Sequence, residues 1–288
     1  MTNIKAFTKS HSAWIYFVLT FFISWGGVLL AIGGVSGIPA NAEQIEKLLP
    51  LVVLTLTIGP ILTSLVLISI IDGKNGLREF LSRLFRWRVS VRWYIIALLI
   101  TPVFALVTLL ALSSTSPLYV PGIFASKDKV TLLVSALLAG LAGGLLEEPG
   151  WTGFAIPKLR MRYSVFATGL IVGLLWGAWH FIVAFWGSGT PSGEFSLMLF
   201  LPQLLFYVAV LPPYRMLMVW VYDKTESLLI SMLMHASLTG SILFIFMPLS
   251  ISGTPLLIWY LVLAIAFWVA VVIIFLSKRK SLEKDKKG

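Results

Sequence analysis

The chain contains no cysteine. That excludes disulfides, thiolate nucleophiles and zinc sites built on sulfur, and leaves the redox compartment unspecified. Charge is nearly as scarce: 12% of the 288 residues are Asp, Glu, Lys or Arg, against about 25% in a soluble domain. There is no GxGxxG, no P-loop and no HExxH. No long internal repeat is evident either, which argues against an inverted-repeat transporter. What the chain has in quantity is apolar surface: 58% hydrophobic residues, with 19 Phe and 11 Trp, and a mean hydropathy of +0.95. One soluble core of this size cannot hide so much. A soluble globular enzyme and a disordered chain are both excluded, leaving an all-α polytopic membrane protein folded as one compact unit.

Apolar runs of about 20 residues occur near 12–33, 48–71, 93–114, 130–155, 164–186, 195–213, 227–247 and 255–277, the sixth being short and ended by Pro212-Pro213. This predicts about eight transmembrane helices. The net charge is +10, but the basic residues sit in short segments between the runs. They therefore point to anionic lipid headgroups and membrane topology, with no nucleic-acid partner expected. Lys5 and Lys9, then Lys74, Arg78, Arg83, Arg86, Arg88 and Arg92, fall in alternate connections with Lys158, Arg160 and Arg162, with Arg215 and Lys224, and with Lys278, Arg279, Lys280, Lys284, Lys286 and Lys287. The intervening connections hold Lys47, Lys127 and Lys129. An even number of spans puts every basic cluster on one side, so both termini are expected in the cytoplasm (N-in/C-in), most simply at a prokaryotic plasma membrane.

Two segments need separate readings. Lys5, Lys9, an apolar run and Ala40-Asn41-Ala42 imitate a secretory signal, but the run exceeds the usual ~7–15 residues. It reads as an uncleaved first span. In residues 76–92, Leu77, Phe80, Leu81, Leu84 and Phe85 recur at helical spacing with arginines between, as in an interfacial amphipathic helix anchored on the leaflet.

Ionisable side chains inside spans are costly and mark functional positions. Glu147 and Glu148 follow a small-residue helix, and no charge comes after them until Lys158. The helix is therefore expected to continue, holding the carboxylates within the membrane. Adjacent residues point about 100° apart, so the two acids serve different roles. Gly140, Gly143 and Gly144 would admit a neighbouring helix closely. His180 and His235 lie in otherwise apolar spans, while His11 sits at a polar span mouth and is set aside. Thr239, four residues after His235, shares its helical face. Such a set permits hydrolysis with a carboxylate as general base and histidines stabilising the oxyanion, or binding a divalent metal such as zinc. Glu147, His180 and His235 would make a three-ligand metal set. Residue types alone do not choose between these.

The segments Glu147-Glu148-Pro149-Gly150-Trp151-Thr152-Gly153-Phe154, Trp176-Gly177-Ala178-Trp179-His180 and His235-Ala236-Ser237-Leu238-Thr239 resemble the three motifs of the CPBP intramembrane protease family. This family comprises type II CAAX prenyl endopeptidases and bacteriocin-processing or immunity proteins. Its pattern runs EExxxR, FxxxH and HxxxN, and the likeness covers about residues 130–240. Arg86 to Trp93 also looks like the family's lead-in to a span. The resemblance implies a helical core over 130–247, preceded by N-terminal helices in 1–129 and followed by a last span and basic tail in 248–288. It further implies a polar cavity, with Glu147 as the base activating water, Glu148 as its support, and His180 and His235 holding water, oxyanion or metal. Three positions depart from the pattern: Thr152 replaces the arginine, Thr239 the asparagine, and Trp176 the phenylalanine, the last a mild change. Glu148 thus lacks its expected partner unless another basic group, such as Arg160 or Arg162, folds back.

The expected activity is endopeptidase cleavage of a hydrophobic or membrane-associated peptide. A second reading, supported by the missing arginine, is a non-catalytic immunity or binding protein using the same pocket. A third is an ion-coupled transporter, since relays also use buried Glu and His.

Overall fold

The structure, a computed structural model, describes residues 8–285, with side chains described for 8–277. Lys5 and the tail bases Lys278, Arg279, Lys280, Lys284, Lys286 and Lys287 lie outside the described side chains. The chain is an integral membrane protein, with eight helical segments long and apolar enough to cross a bilayer. The first three helices are α1 (Ser12–Ala31), α2 (Ala42–Ile71) and the short α3 (Gly73–Leu84), followed by α4 (Val91–Ser113). The fourth span runs from α5 (Lys129–Gly150) through a π-helical turn (Trp151–Ala155) into α6 (Ile156–Arg160). The fifth joins α7 (Val165–Trp179) to α8 (Phe181–Trp186), and the sixth joins α9 (Leu197–Leu205) to α10 (Leu211–Thr225) through a second π turn (Phe206–Val210). The last two are α11 (Leu228–Gly240), ending in a third π turn (Ser241–Ile245), and α12 (Gly253–Asp285).

Three expectations are corrected. The fourth helix indeed continues past the acidic pair, and it runs on to Arg160 rather than 155. The sixth span does not end at Pro212-Pro213 but runs over Leu197–Thr225, so Arg215 is not in a connection: it lies inside the protein, 0% exposed. The amphipathic segment is helical only over Gly73–Leu84, and Phe85 to Ser90 is irregular. It is also docked rather than merely anchored. Phe80 is buried against Gly153, where an added Cβ would lie 2.7 Å from its ring.

Each π turn is followed by a proline. A proline ring collides with the carbonyl four residues earlier and supplies no N–H, so a helix carrying one must widen, bend or stop. The carbonyls facing Pro157, Pro212 and Pro248 belong to Gly153, Val208 and Phe244, each inside one of the three π turns. Pro50, Pro60 and Pro102 sit in helices without one, and the carbonyls four residues before Pro149 and Pro202 lie outside the π turns, so proline is not by itself sufficient.

Helix starts follow the usual caps. Asn41 and Gln44 form a reciprocal capping box on α2. The Asp128 carboxylate accepts the Thr131 N–H at the start of α5, and this bond holds its carboxyl below the ordinary range. Packing then brings α5 against α11 and α7 against α10. At Gly140 and Gly144 a Cβ would lie 2.5 and 2.6 Å from the carbonyl oxygens of Ala236 and Met232; only glycine lets α5 and α11 come this close. At the end where α3 lies, Lys158–Asp72, Arg160–Asp223 and Arg86–Glu226 pair at 2.8, 2.7 and 2.6 Å. Phe22 and Leu30, 76% and 86% exposed, illustrate the apolar outer surface that such a bundle offers to lipid.

Candidate active site

Four helical segments converge on the acidic pair: α5, α7, α10 and α11. Glu147 and Glu148 are 5% and 0% exposed, so both carboxylates are withdrawn from solvent. Their surroundings differ, as the ~100° between adjacent positions requires. Glu148 is surrounded by donors. Arg215 Nη1 and Nη2 reach its two oxygens at 2.8 and 2.9 Å, the Thr152 hydroxyl donates to Oε2, and His235 Nδ1 lies 2.7 Å from Oε1. Held by a bidentate guanidinium, Glu148 is an acceptor, so the proton of that last bond sits on His235 Nδ1.

Glu147 is less committed. The indole Nε1 of Trp176 donates to its Oε2 at 2.8 Å. Oε1 faces His235 Nε2 across 3.9 Å, beyond a direct hydrogen bond. A water bonded to both at about 2.8 Å would subtend an angle of about 90° between them, an ordinary geometry for a bridging water. Gly143 makes room here: a Cβ at that position would lie 2.9 Å from His235 Nε2 and 3.6 Å from the Thr239 hydroxyl. Thr239 therefore does border the same space, on the face one turn from His235.

His180 reaches the cluster from a different side. Its Nδ1 donates to the carbonyl of Trp176 at 2.8 Å, leaving Nε2 as the acceptor of the neutral ring. The ring stacks on Tyr207, with centroids 4.7 Å apart at 13°. The two histidine rings flank the Trp176 indole, at 5.8 and 5.1 Å between centroids, and the Arg215 guanidinium covers the same indole at 4.0 Å.

Among the described residues no group of three His, Asp or Glu side chains is gathered so as to hold a metal. As placed, Glu147, His180 and His235 are not among such a group. In each histidine Nδ1 is the hydrogen-bonded nitrogen, His180 with a carbonyl and His235 with Glu148, which leaves Nε2 as the nitrogen not engaged in those bonds. Two cavities of about 300 and 510 Å³ open at the end where α3 lies and share Glu79, Arg83 and Pro157; the acidic pair lines neither.

The compensating basic group was sought at Arg160 or Arg162, and both are occupied elsewhere. Arg160 pairs with Asp223, and Arg162 donates to the Ser10 carbonyl at 3.1 Å. The partner is Arg215, which sequence reasoning assigned to a connection because it follows Pro212-Pro213. One signal could have found it, since no other charge occurs between Phe195 and Tyr222. Trp176 was likewise passed over as a mild change, although a phenylalanine has no N–H for Glu147. Tyr207 gave no signal, being one aromatic among many.

Comparison with known proteins places the cluster in a region shared with a known family. The family described as type II CAAX prenyl endopeptidase Rce1-like matches residues 129–241, the region that holds the acidic pair, both histidines and Arg215. The CAAX prenyl protease 2 of Methanococcus maripaludis is 26% identical over 279 residues, covering 94% of this chain and 96% of the relative. Both similarities support an intramembrane endopeptidase. By three motifs, by the match over residues 129–241 and by a relative aligned along most of its length, the chain is similar to the CPBP-type family of type II CAAX prenyl endopeptidases.

Proposed function

We propose that the protein is a glutamate-dependent intramembrane endopeptidase acting on membrane-associated peptides, prenylated CAAX termini being the class that the relative's name indicates. The observation that carries this reading is the facing pair Glu147 Oε1 and His235 Nε2, 3.9 Å apart, inside a cluster fixed by hydrogen bonds. In the reaction, Glu147 takes a proton from a water as its oxygen attacks the scissile carbonyl carbon. His180 Nε2 is a second acceptor for that water. His235, with Nδ1 held by Glu148, directs Nε2 at the space where the oxyanion develops, and the Thr239 hydroxyl borders the same space as a hydrogen-bond donor. As the C–N bond breaks, the proton on Glu147 passes to the leaving amine. Glu148 does not react: its lone pairs are taken by Arg215, Thr152 and His235. No step is routed through a metal.

This reading also answers the main argument for a non-catalytic immunity protein, which rested on a missing guanidinium; Arg215 supplies one. The test is cleavage of a quenched-fluorescent peptide ending in a prenylated CAAX sequence by purified protein in lipid nanodiscs. Glu147→Gln keeps the shape and removes the base. It is expected to lower kcat by at least about 100-fold, the lower range for a general base, with the unfolding midpoint retained. Wild-type turnover in a folded Glu147→Gln protein would refute the proposal.

A further inference from the structure

We infer that Arg215 is the positioning arginine of this site, supplied by α10 in place of the residue that Thr152 displaces on the acidic pair's own helix. The motif pattern would put an arginine one turn beyond Glu148; this chain has a hydroxyl there. Arg215 comes instead from across the bundle and grips Glu148 with two nitrogens, at 2.8 and 2.9 Å, with both side chains 0% exposed. Thr152 completes the arrangement rather than leaving a gap. Its hydroxyl donates to Glu148 and lies 3.4 Å from Arg215 Nη1. The short side chain at 152 and the long one at 215 thus act as a pair.

The arginine touches neither Glu147 nor His235, yet it orients both. Through Glu148 it fixes the acceptor for His235 Nδ1, and so the direction of Nε2 toward Glu147. Through its face it packs on the Trp176 indole at 4.0 Å, and that indole's N–H holds Glu147 Oε2. Gly173 of α7 permits the approach, since a Cβ there would lie 2.6 Å from Pro212 Cα and 3.1 Å from Arg215 Cβ. A lysine would restore the charge but not the fork or the flat face.

The kinetic part of the inference rests on the endopeptidase reading; its spectroscopic part does not. The chain has three histidines, so 15N-histidine labelling in nanodiscs gives three resolvable imidazoles. In the wild type, His235 Nδ1–H should show the strongly deshielded proton of a carboxylate-bonded imidazole. Arg215→Lys and Arg215→Met should each lose that signal while leaving the Nδ1–H of His180 in place. Arg215→Lys should lower kcat by about 10-fold or more with KM within about 3-fold, because the group acts on positioning and not on substrate. Moving the guanidinium, in Thr152→Arg with Arg215→Met, should recover at least about 10-fold of the activity lost in Arg215→Met. Should Arg215→Met fail to fold, Glu148→Gln with Arg215→Met removes both charges together and leaves no lone buried ion. It should be slower than Glu148→Gln alone by no more than about 10-fold, the loss expected if the Trp176 contact to Glu147 also fails, since Arg215 otherwise acts through Glu148. A folded Arg215→Met or Arg215→Lys that keeps the His235 signal, or a paired variant much slower than Glu148→Gln alone, overturns the inference. If the wild type cleaves no peptide, the endopeptidase reading fails while the His235 signal still decides the role of Arg215.

Discussion

Trp176 serves four neighbours with one side chain and its own backbone. The indole N–H holds Glu147, the ring carries Arg215 on its face and meets His235 at its edge, and the carbonyl accepts from His180. Trp176→Phe keeps most of the ring and deletes the N–H. We expect a fall in kcat of about 10-fold, equivalent to about 1.4 kcal/mol and in line with one lost hydrogen bond, with little change in the thermal unfolding midpoint. Gly143→Ala tests the space itself, for its methyl would lie 2.9 Å from His235 Nε2. Because that ring is pinned at Nδ1, cleavage should fall below about 1% of wild type while circular dichroism stays unchanged; full activity would show that the ring yields. At this scale the sequence was legible where an ionisable group stood against an apolar background, as at Glu147, Glu148, His180 and His235. It was not legible where the meaning lay in a partner. An indole replacing a benzene ring looks like a small change in volume until a carboxylate is found opposite its nitrogen.

The helices themselves were legible because each carries an apolar run longer than any soluble core would need. Their ends were less so. Pro212-Pro213 reads as a stop, since proline neither donates nor fits a regular turn. The chain instead widens into a π turn at Phe206–Val210 and continues as α10, and that continuation is what brings Arg215 inside. The close packing of α5 on α11 was foreseeable from Gly140, Gly143 and Gly144, though not which helix would fill the space. Gly144→Val puts side-chain atoms where the Met232 carbonyl now lies 2.6 Å from the Cβ position. We expect a loss of at least about 2 kcal/mol of stability, as for overpacking elsewhere, measured as a lowered unfolding midpoint in nanodiscs. The same substitution at Leu145, 53% exposed on the outer surface, should change it by less than about 0.5 kcal/mol.

For the whole molecule, eight helices are long and apolar enough to cross a bilayer, and we propose that all eight cross, an even number that returns the chain to the face it started from. We propose, from the basic connections, that this face is the cytoplasmic one. Fluorescent reporters that mature only in the cytoplasm should therefore be bright at either terminus, and a periplasm-dependent reporter should be silent at both. The same end carries the ion pairs Arg86–Glu226, between the segments that follow α3 and α10, and Lys158–Asp72, between α6 and the residue that follows α2. The Glu148–Arg215 contact has a bearing on biogenesis as well. Its two charges belong to the fourth and sixth spans, which leave the ribosome more than sixty residues apart. Each span alone carries an ion that resists partition into lipid by about 2.5–3.5 kcal/mol, and only their meeting neutralises both. The fourth helix must then be retained beside the insertion machinery until the sixth emerges, and nascent chains halted before Leu211 should crosslink to that machinery longer when position 148 is Glu than when it is Leu.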